Sequence, residues 1–68
     1  MDIIAAVINN LKGKTKDELR NIIDDAVASK DESTIPGLGV VFSATWKHMS
    51  EVEKNQVMDY VDRGLKAT

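Results

Sequence analysis

Residues 35–49 read IPGLGVVFSATWKHM, and they hold the only proline, the only phenylalanine and the only tryptophan of the chain. Two of its four glycines lie there too. A 68-residue chain with so few bulky side chains concentrates its packing volume in this segment. Proline suits the first turn of a helix, because it lacks the amide that would be left unbonded there. We therefore predict a central helix that starts near Pro36 or Gly37.

The predicted central helix is apolar around much of its circumference. One face carries Leu38, Val41, Phe42, Thr45 and Met49, with Trp46 at its edge. A second patch is formed by Val40 and Ala44. A helix with so wide an apolar surface is usually covered on more than one side. If no helix of the chain covers Val40 and Ala44, that patch is the candidate surface for a partner.

Three further helices are predicted from apolar spacing and capping residues. Thr15 to Glu18 and Ser50 to Glu53 each have the pattern of a capping box, in which the hydroxyl and the carboxylate each bind a backbone amide at the helix start. Asp2 is a candidate cap, Gly13 suits a left-handed stop, and Gly64 suits a frayed end. The resulting helices cover about residues 2–12, 16–29, 37–49 and 51–64, with residues 29–34 as the one polar loop.

These elements predict an all-α fold. Four short helices with short connections, and no long segment of alternating polarity, favour a small bundle. Capping boxes before the second and fourth helices suggest two helical hairpins packed together. We expect one domain over residues 1–68, near the size at which a single core is marginally sufficient, so self-association is a reasonable expectation.

Composition excludes several classes of protein. A net charge of −2 disfavours a generic nucleic-acid-binding protein, whose affinity would come from a positive surface. The chain has no cysteine, and therefore neither a disulfide framework nor a thiolate nucleophile. Its start lacks the basic region of a signal peptide, and no apolar run approaches the roughly 20 residues that span a bilayer. We expect a soluble intracellular protein that does not bind a membrane.

No residue pattern predicts catalysis, a metal site or a cofactor site. Asp24 and Asp25 are adjacent, so their side chains diverge by about 100 degrees on a helix and cannot work as a paired acid and base. His48 is the only histidine and lacks a partner at useful spacing. Trp46 and Tyr60 could stack on bases, but their positions favour packing between helices. We predict a protein that is not an enzyme and has no small-molecule substrate.

The run from Pro36 through Gly37, Leu38 and Gly39 to Val40 is the most unusual feature. It is not a dinucleotide-binding fingerprint, because the third glycine and the preceding strand are missing. Two hypotheses remain for its glycines. They could let another helix approach the backbone closely, which we favour, or their amides at a helix N-terminus could hold a phosphate or carboxylate. The first predicts that Gly39→Ala lowers the melting temperature.

The same run carries a resemblance to a known family. Residues 35–42, then Trp46-Lys-His, residues 50–55 and Gly64-Leu-Lys, resemble the I-type small acid-soluble spore proteins of endospore-forming Firmicutes. Upstream, residues 6–10, Glu18-Leu and Asp25-Ala-Val extend the similarity over nearly the whole chain. The motif positions are Pro36, Gly37, Leu38, Gly39, Val40, Phe42 and Trp46.

The resemblance implies a minor, non-enzymatic sporulation protein, located in the forespore cytoplasm and later in the spore core. It does not imply the DNA coating performed by the abundant α/β-type spore proteins, which form a different family. The alternative is a small helical module that binds a protein, or nucleic acid weakly, and that a phage or prophage could also encode. Its partner would be another protein or a second copy of the chain.

Overall fold

The computed structural model describes residues 2–68 and shows an all-α protein. Its helices are α1 (Ile3–Leu11), α2 (Lys16–Ala28), α3 (Ile35–Lys47) and α4 (Glu51–Lys66). A short 3-10 turn, Glu32–Thr34, leads directly into α3. Over the described residues there is no strand, so the prediction of a small four-helix bundle is confirmed.

Both ends of α1 follow the predicted local signals. The Asp2 carboxylate accepts a hydrogen bond from the Ala5 amide at 3.2 Å, which satisfies an amide that the first turn leaves free. Past the other end of the helix, Gly13 has φ +82°. Side chains are disfavoured in this left-handed region, so the glycine lets the chain turn towards α2.

The two predicted capping boxes are both present. At the start of α2 the Glu18 amide donates to Thr15 Oγ1 and the Thr15 amide donates to Glu18 Oε1, each at 3.2 Å. At the start of α4 the Glu53 amide donates to Ser50 Oγ at 3.1 Å, and the Ser50 amide donates to Glu53 Oε1 at 2.8 Å. Each box satisfies two backbone amides, and the starts of both helices are as predicted.

The α3 helix begins earlier than predicted, because the preceding loop is partly helical. Asp31 Oδ1 accepts from the Ser33 amide at 2.9 Å, which starts the 3-10 turn. Thr34 Oγ1 donates to the Asp31 carbonyl at 3.0 Å and lies 3.3 Å from the Ala26 carbonyl of α2. The prediction of an irregular loop over residues 29–34 was therefore wrong at its C-terminal half, although Pro36 does lie in the first turn of α3.

The last helix is longer than predicted. Gly64 was expected at a frayed end, but α4 continues through it to Lys66. The Lys66 ammonium donates to Asp62 Oδ2 at 2.9 Å, and the Thr68 hydroxyl donates to the Gly64 carbonyl at 2.9 Å. Both contacts span the glycine position and lie in the last turns of the helix.

The α3 helix is central, as predicted. Its most extensive packing joins it to α1, and it also contacts the 3-10 turn and, less extensively, α2. On its other side, the Phe42 and Trp46 rings stack with centroids 5.8 Å apart. Lys54 of α4 places its ammonium 5.4 Å from the centre of the Trp46 ring. Over residues 2–68 no side chain is fully buried, so the helices meet in an open arrangement.

Candidate functional site

The run from Pro36 to Val40 divides between two grooves, whereas the motif residues Phe42 and Trp46 face α4. Gly37 and Leu38 face the junction with α1 and α2, whereas Pro36, Gly39 and Val40 face α1 alone. Successive helical residues point about 100 degrees apart, so one short motif supplies side chains to both surfaces. The motif thus belongs to the helix that contacts both α1 and α2.

One of these two depressions, which we call the three-helix groove, lies where α1, α2 and α3 converge. It has a volume of about 430 Å³ and is open to solvent along one side. Its walls carry no charged side chain among the described residues, and its polar groups are Asn10, Thr34 and Thr45. The remaining lining residues are Val7, Leu11, Leu19, Ile22, Ile23, Ala26, Gly37, Leu38 and Val41.

The stripes that line the three-helix groove were predicted as core, but they are incompletely covered. Leu19 and Leu38 are half-buried, while Ile22 and Ile23 keep 37% and 38% of their surface exposed. Sequence reasoning missed the groove, because apolar spacing indicates which residues face inward and not whether the helices close over them. No sequence signal distinguishes a closed core from this open one.

The second depression, the α1–α3 groove, contains the candidate partner surface. Val40 and Ala44 are both half-buried there, facing Ile4 and Ile8 of α1. The groove measures about 320 Å³, and Lys47 is the one charged residue that the described part of the chain contributes to its lining. An intrachain helix thus lies beside the Val40 and Ala44 patch but leaves part of it accessible.

The glycines of α3 do not serve a close approach between helices. A Cβ atom built on Gly37 or on Gly39 would meet nothing within 4 Å. The favoured explanation from sequence, that a neighbouring helix needs this space, is therefore wrong for the single chain. The expected destabilisation by Gly39→Ala loses its basis, and the opposite sign follows from helix propensity.

The N-terminus of α3 offers a poor setting for the alternative, an anion site. An α-helical amide donates to the carbonyl four residues earlier, so the Gly39 amide is directed at Ile35 and not at solvent. The preceding 3-10 turn also brings the acidic side chains of Asp31 and Glu32 to this end of the helix. Their negative charge repels an approaching anion.

Among the residues that the structure describes, three carboxylates have perturbed pKa values, and each has a structural explanation. Hydrogen bonds from the Thr15 backbone and hydroxyl lower the pKa of Glu18, and those from Ser50 lower the pKa of Glu53. The pKa of Asp31 is lowered by its hydrogen bonds with Ser33. Such bonds stabilise the ionised form of a carboxylate. The shifts mark helix starts, and they indicate no acid or base positioned for catalysis.

The remaining candidates for chemistry are dispersed. Asp24 forms an exposed ion pair, with its Oδ2 atom 3.7 Å from Arg20 Nε on the next turn. His48 ends α3, where its amide donates to the Thr45 carbonyl at 3.1 Å. Throughout residues 2–68, no three His, Cys, Asp or Glu side chains come together as metal ligands.

Helices that could cross a membrane are also absent from the part of the chain that the structure describes. None of the described helices is both long enough and apolar enough to span a bilayer.

Comparison with known proteins identifies similar sequences that share one family name. The profile of the family described as small, acid-soluble spore protein I matches residues 1–65. A curated protein of that name from Bacillus licheniformis is 42% identical over 62 residues, covering 91% of this chain and 89% of its own length. Proteins of the same name from Bacillus cereus and Bacillus anthracis are each 43% identical over 61 residues, covering 90% of this chain and 88% of their own.

No solved structure matches the chain. The family profile and the relatives agree with each other, and both extend over nearly all of the sequence, including the Pro36 to Val40 run on which the resemblance rested. This chain belongs to the small, acid-soluble spore protein I family.

Proposed function

We propose that this protein is a non-enzymatic component of the spore core, made in the forespore and retained in the dormant spore. The observation that carries the proposal is the family match over residues 1–65. The structure supports it in one further respect, since the carboxylates with perturbed pKa values are all occupied at helix starts. The side chains with unusual electrostatics therefore have a role that needs no substrate.

The charge of the chain supports a role other than coating DNA. A net charge of −2 at neutral pH gives a protein little electrostatic attraction to a phosphate backbone. We expect no retention on a duplex DNA column at physiological ionic strength. Salt-dependent binding under those conditions would contradict this part of the proposal.

Location can be tested with a fluorescent fusion expressed from the protein's own promoter in an endospore-forming Bacillus. The proposal predicts fluorescence confined to the forespore, and a signal that persists in dormant spores after their outer layers are chemically stripped. Fluorescence in the mother cell, or a signal removed with the coat, would refute the spore-core location. A fusion of free fluorescent protein under the same promoter is the control for the compartment of expression.

A second candidate function is a small helical module that binds another protein. The observation that favours it is the partial exposure of Val40 and Ala44 in the α1–α3 groove. In extracts of sporulating cells, this hypothesis predicts a stoichiometric partner that is captured by the wild type and lost in Ala44→Lys. Val52→Lys on α4, whose side chain is exposed away from that groove, is the matched control.

An abundant protein without such a partner would favour the first proposal over the second. The neighbouring genes distinguish a chromosomal origin from a phage origin. Adjacent sporulation genes favour a chromosomal spore protein, whereas adjacent phage structural genes favour a phage or prophage module.

A further inference from the structure

The last helix is the least firmly attached of the four. Over residues 2–68, the extensive packing joins α3 to α1, to the 3-10 turn and to α2, and none of it involves α4. The half-buried residues of α4 are Lys54, Val57 and Val61. Their spacing of three and four positions places them on one stripe, so a single narrow side of α4 meets the rest of the protein.

The contact between α3 and α4 is also incompletely filled. A depression of about 440 Å³ lies between them, lined by Phe42 and Trp46 on one side and by Met58 and Val61 on the other. Phe42 keeps 49% of its surface exposed, and Met58 keeps 47%. A gap between two surfaces removes the dispersion contacts that close packing would supply, so the attachment of α4 is weak for a 16-residue helix.

The hydrogen bonds and ion pairs that the structure describes for α4 stay within that helix and its caps. The Lys66 ammonium donates to Asp62 at 2.9 Å, and the Lys54 ammonium lies 3.8 Å from Glu51. Among the described residues, the charged group of α4 that reaches α3 is Lys54, over the Trp46 ring. Moving α4 away from α3 therefore breaks the apolar stripe and this cation–π contact, but none of the described hydrogen bonds or ion pairs.

Charges at its two ends stabilise α4 locally. Glu51 and Glu53 occupy its first turn, and Arg63 and Lys66 occupy its last turn. Acidic residues at the start of a helix and basic residues at its end both interact favourably with the helix dipole. Among the four described helices, α4 alone has both. These interactions do not depend on whether α4 contacts α3.

We propose that α4 is a hinged helix, which swings away from α3 about residues 48–50 while α1, α2 and α3 stay together. Proteins open in cooperative units, and units with few buried contacts open at the lowest cost in free energy. Hinges lie at a few residues where elements end, and residues 48–50 separate the end of α3 from the start of α4. Opening exposes the stacked Phe42 and Trp46 rings, so the open state presents a larger apolar surface than the closed one. This proposal concerns the fold alone and is independent of where the protein is located in the spore.

The first test is hydrogen exchange of the full-length wild type, followed residue by residue with NMR. An unsupported helix of 16 residues is marginal in water, so the amides of α4 exchange when the helix opens. We expect the amides of α4 beyond its first turn to exchange through one common opening, about tenfold or more faster than the slowest amides of α1 and α3. Equal or greater protection of α4 would overturn the proposal.

A pair of variants tests whether the stripe holds the hinge closed. Val61→Lys places a charge in the depression that Val61 shares with Trp46, whereas Val52→Lys alters a residue of α4 that is 67% exposed. In Val61→Lys we expect the amides of α4 to exchange about tenfold or more faster than in the wild type, while those of α1 and α3 remain protected. The emission of Trp46, the only tryptophan, should shift to longer wavelength as its ring enters water. Val52→Lys should match the wild type in both measurements.

Two outcomes for Val61→Lys would also overturn the proposal. Loss of protection in α1 and α3 together with α4, up to complete unfolding, would mean that the four helices form one cooperative unit. Exchange and emission like those of the wild type would mean that the stripe does not hold α4 in place.

Discussion

Replacing Gly39 with alanine should stabilise this protein. Gly39 lies inside α3 at a position where an added Cβ meets nothing within 4 Å, so the change introduces no clash. Glycine in a helix interior is less favourable than alanine by about 0.8 kcal/mol, mainly because it loses more backbone freedom on folding. For a domain of this size that difference raises the melting temperature by roughly 3 to 6 °C.

The assay is thermal unfolding followed by circular dichroism, at one protein concentration for all variants. Gly13→Ala is the matched control, because Gly13 has φ +82° and open space around it. There alanine must adopt the left-handed region, at a cost of about 1 kcal/mol. The melting temperature should therefore fall by about as many degrees as Gly39→Ala raises it. The same chemical change thus has opposite signs at two glycines of one chain.

A lower melting temperature for Gly39→Ala would refute this reasoning. It would mean that another surface, absent from the single chain, packs against the α3 backbone at that point.

Three further predictions concern the helix start of α4, acid and the contact between α3 and α4. Ser50→Ala removes the hydroxyl that caps α4 and should lower stability by about 1 kcal/mol in urea unfolding, whereas Ser43→Ala, at an exposed position inside α3, should not. The pKa values of the glutamates in the two capping boxes are lowered in the folded state, so their contribution is present above about pH 4.5 and is lost as the pH falls through their folded values. Circular dichroism should show that loss, while the protein stays in solution because protonating its 11 acidic side chains moves the side-chain charge from −2 to +9. Trp46→Ala removes the stacking with Phe42 and should cost about 2 kcal/mol, more than Tyr60→Ala at an exposed site of α4.

Each of these expectations has a result that contradicts it. Equal stability of the two serine variants would mean that the cap contributes nothing measurable. Constant stability from pH 6 to pH 3 would show that the capping glutamates titrate alike in the folded and unfolded chain. Equal losses for the tryptophan and tyrosine variants would mean that α4 is not held through Trp46.

Local signals predicted most of the helix boundaries. The starts of α2 and α4 were correct because a capping box depends on residues three positions apart, whose geometry the backbone dictates. The left-handed stop at Gly13 is local for the same reason. The start of α3 was less accurate, because the Asp31 and Ser33 side chains form a 3-10 turn and Thr34 bonds back towards α2. That last contact joins residues eight positions apart, beyond the range of any capping pattern.

The surface candidates were predictable only in part. Periodicity correctly placed Leu38 and Val41 on one side of α3 and Val40 and Ala44 on another. It also led to the assumption that Gly37 and Gly39 make room for a neighbour, which the open space around both contradicts. Where helices stand relative to each other depends on the balance of many weak contacts, and a pattern along one helix does not contain that balance.

For the stretch IPGLGVVFSATWKHM, the sequence by itself determined a central helix, its proline in the first turn and the family to which the chain belongs. These properties follow from local backbone preferences and from residue identity, and neither depends on contacts with distant segments of the chain. The tertiary structure alone decided that α1 lies beside Val40 and Ala44, that α4 is attached through Trp46, and that the three-helix groove stays open. Closure of a core depends on the total volume and placement of side chains from distant segments, and a chain of this size has too few of them to cover every apolar face.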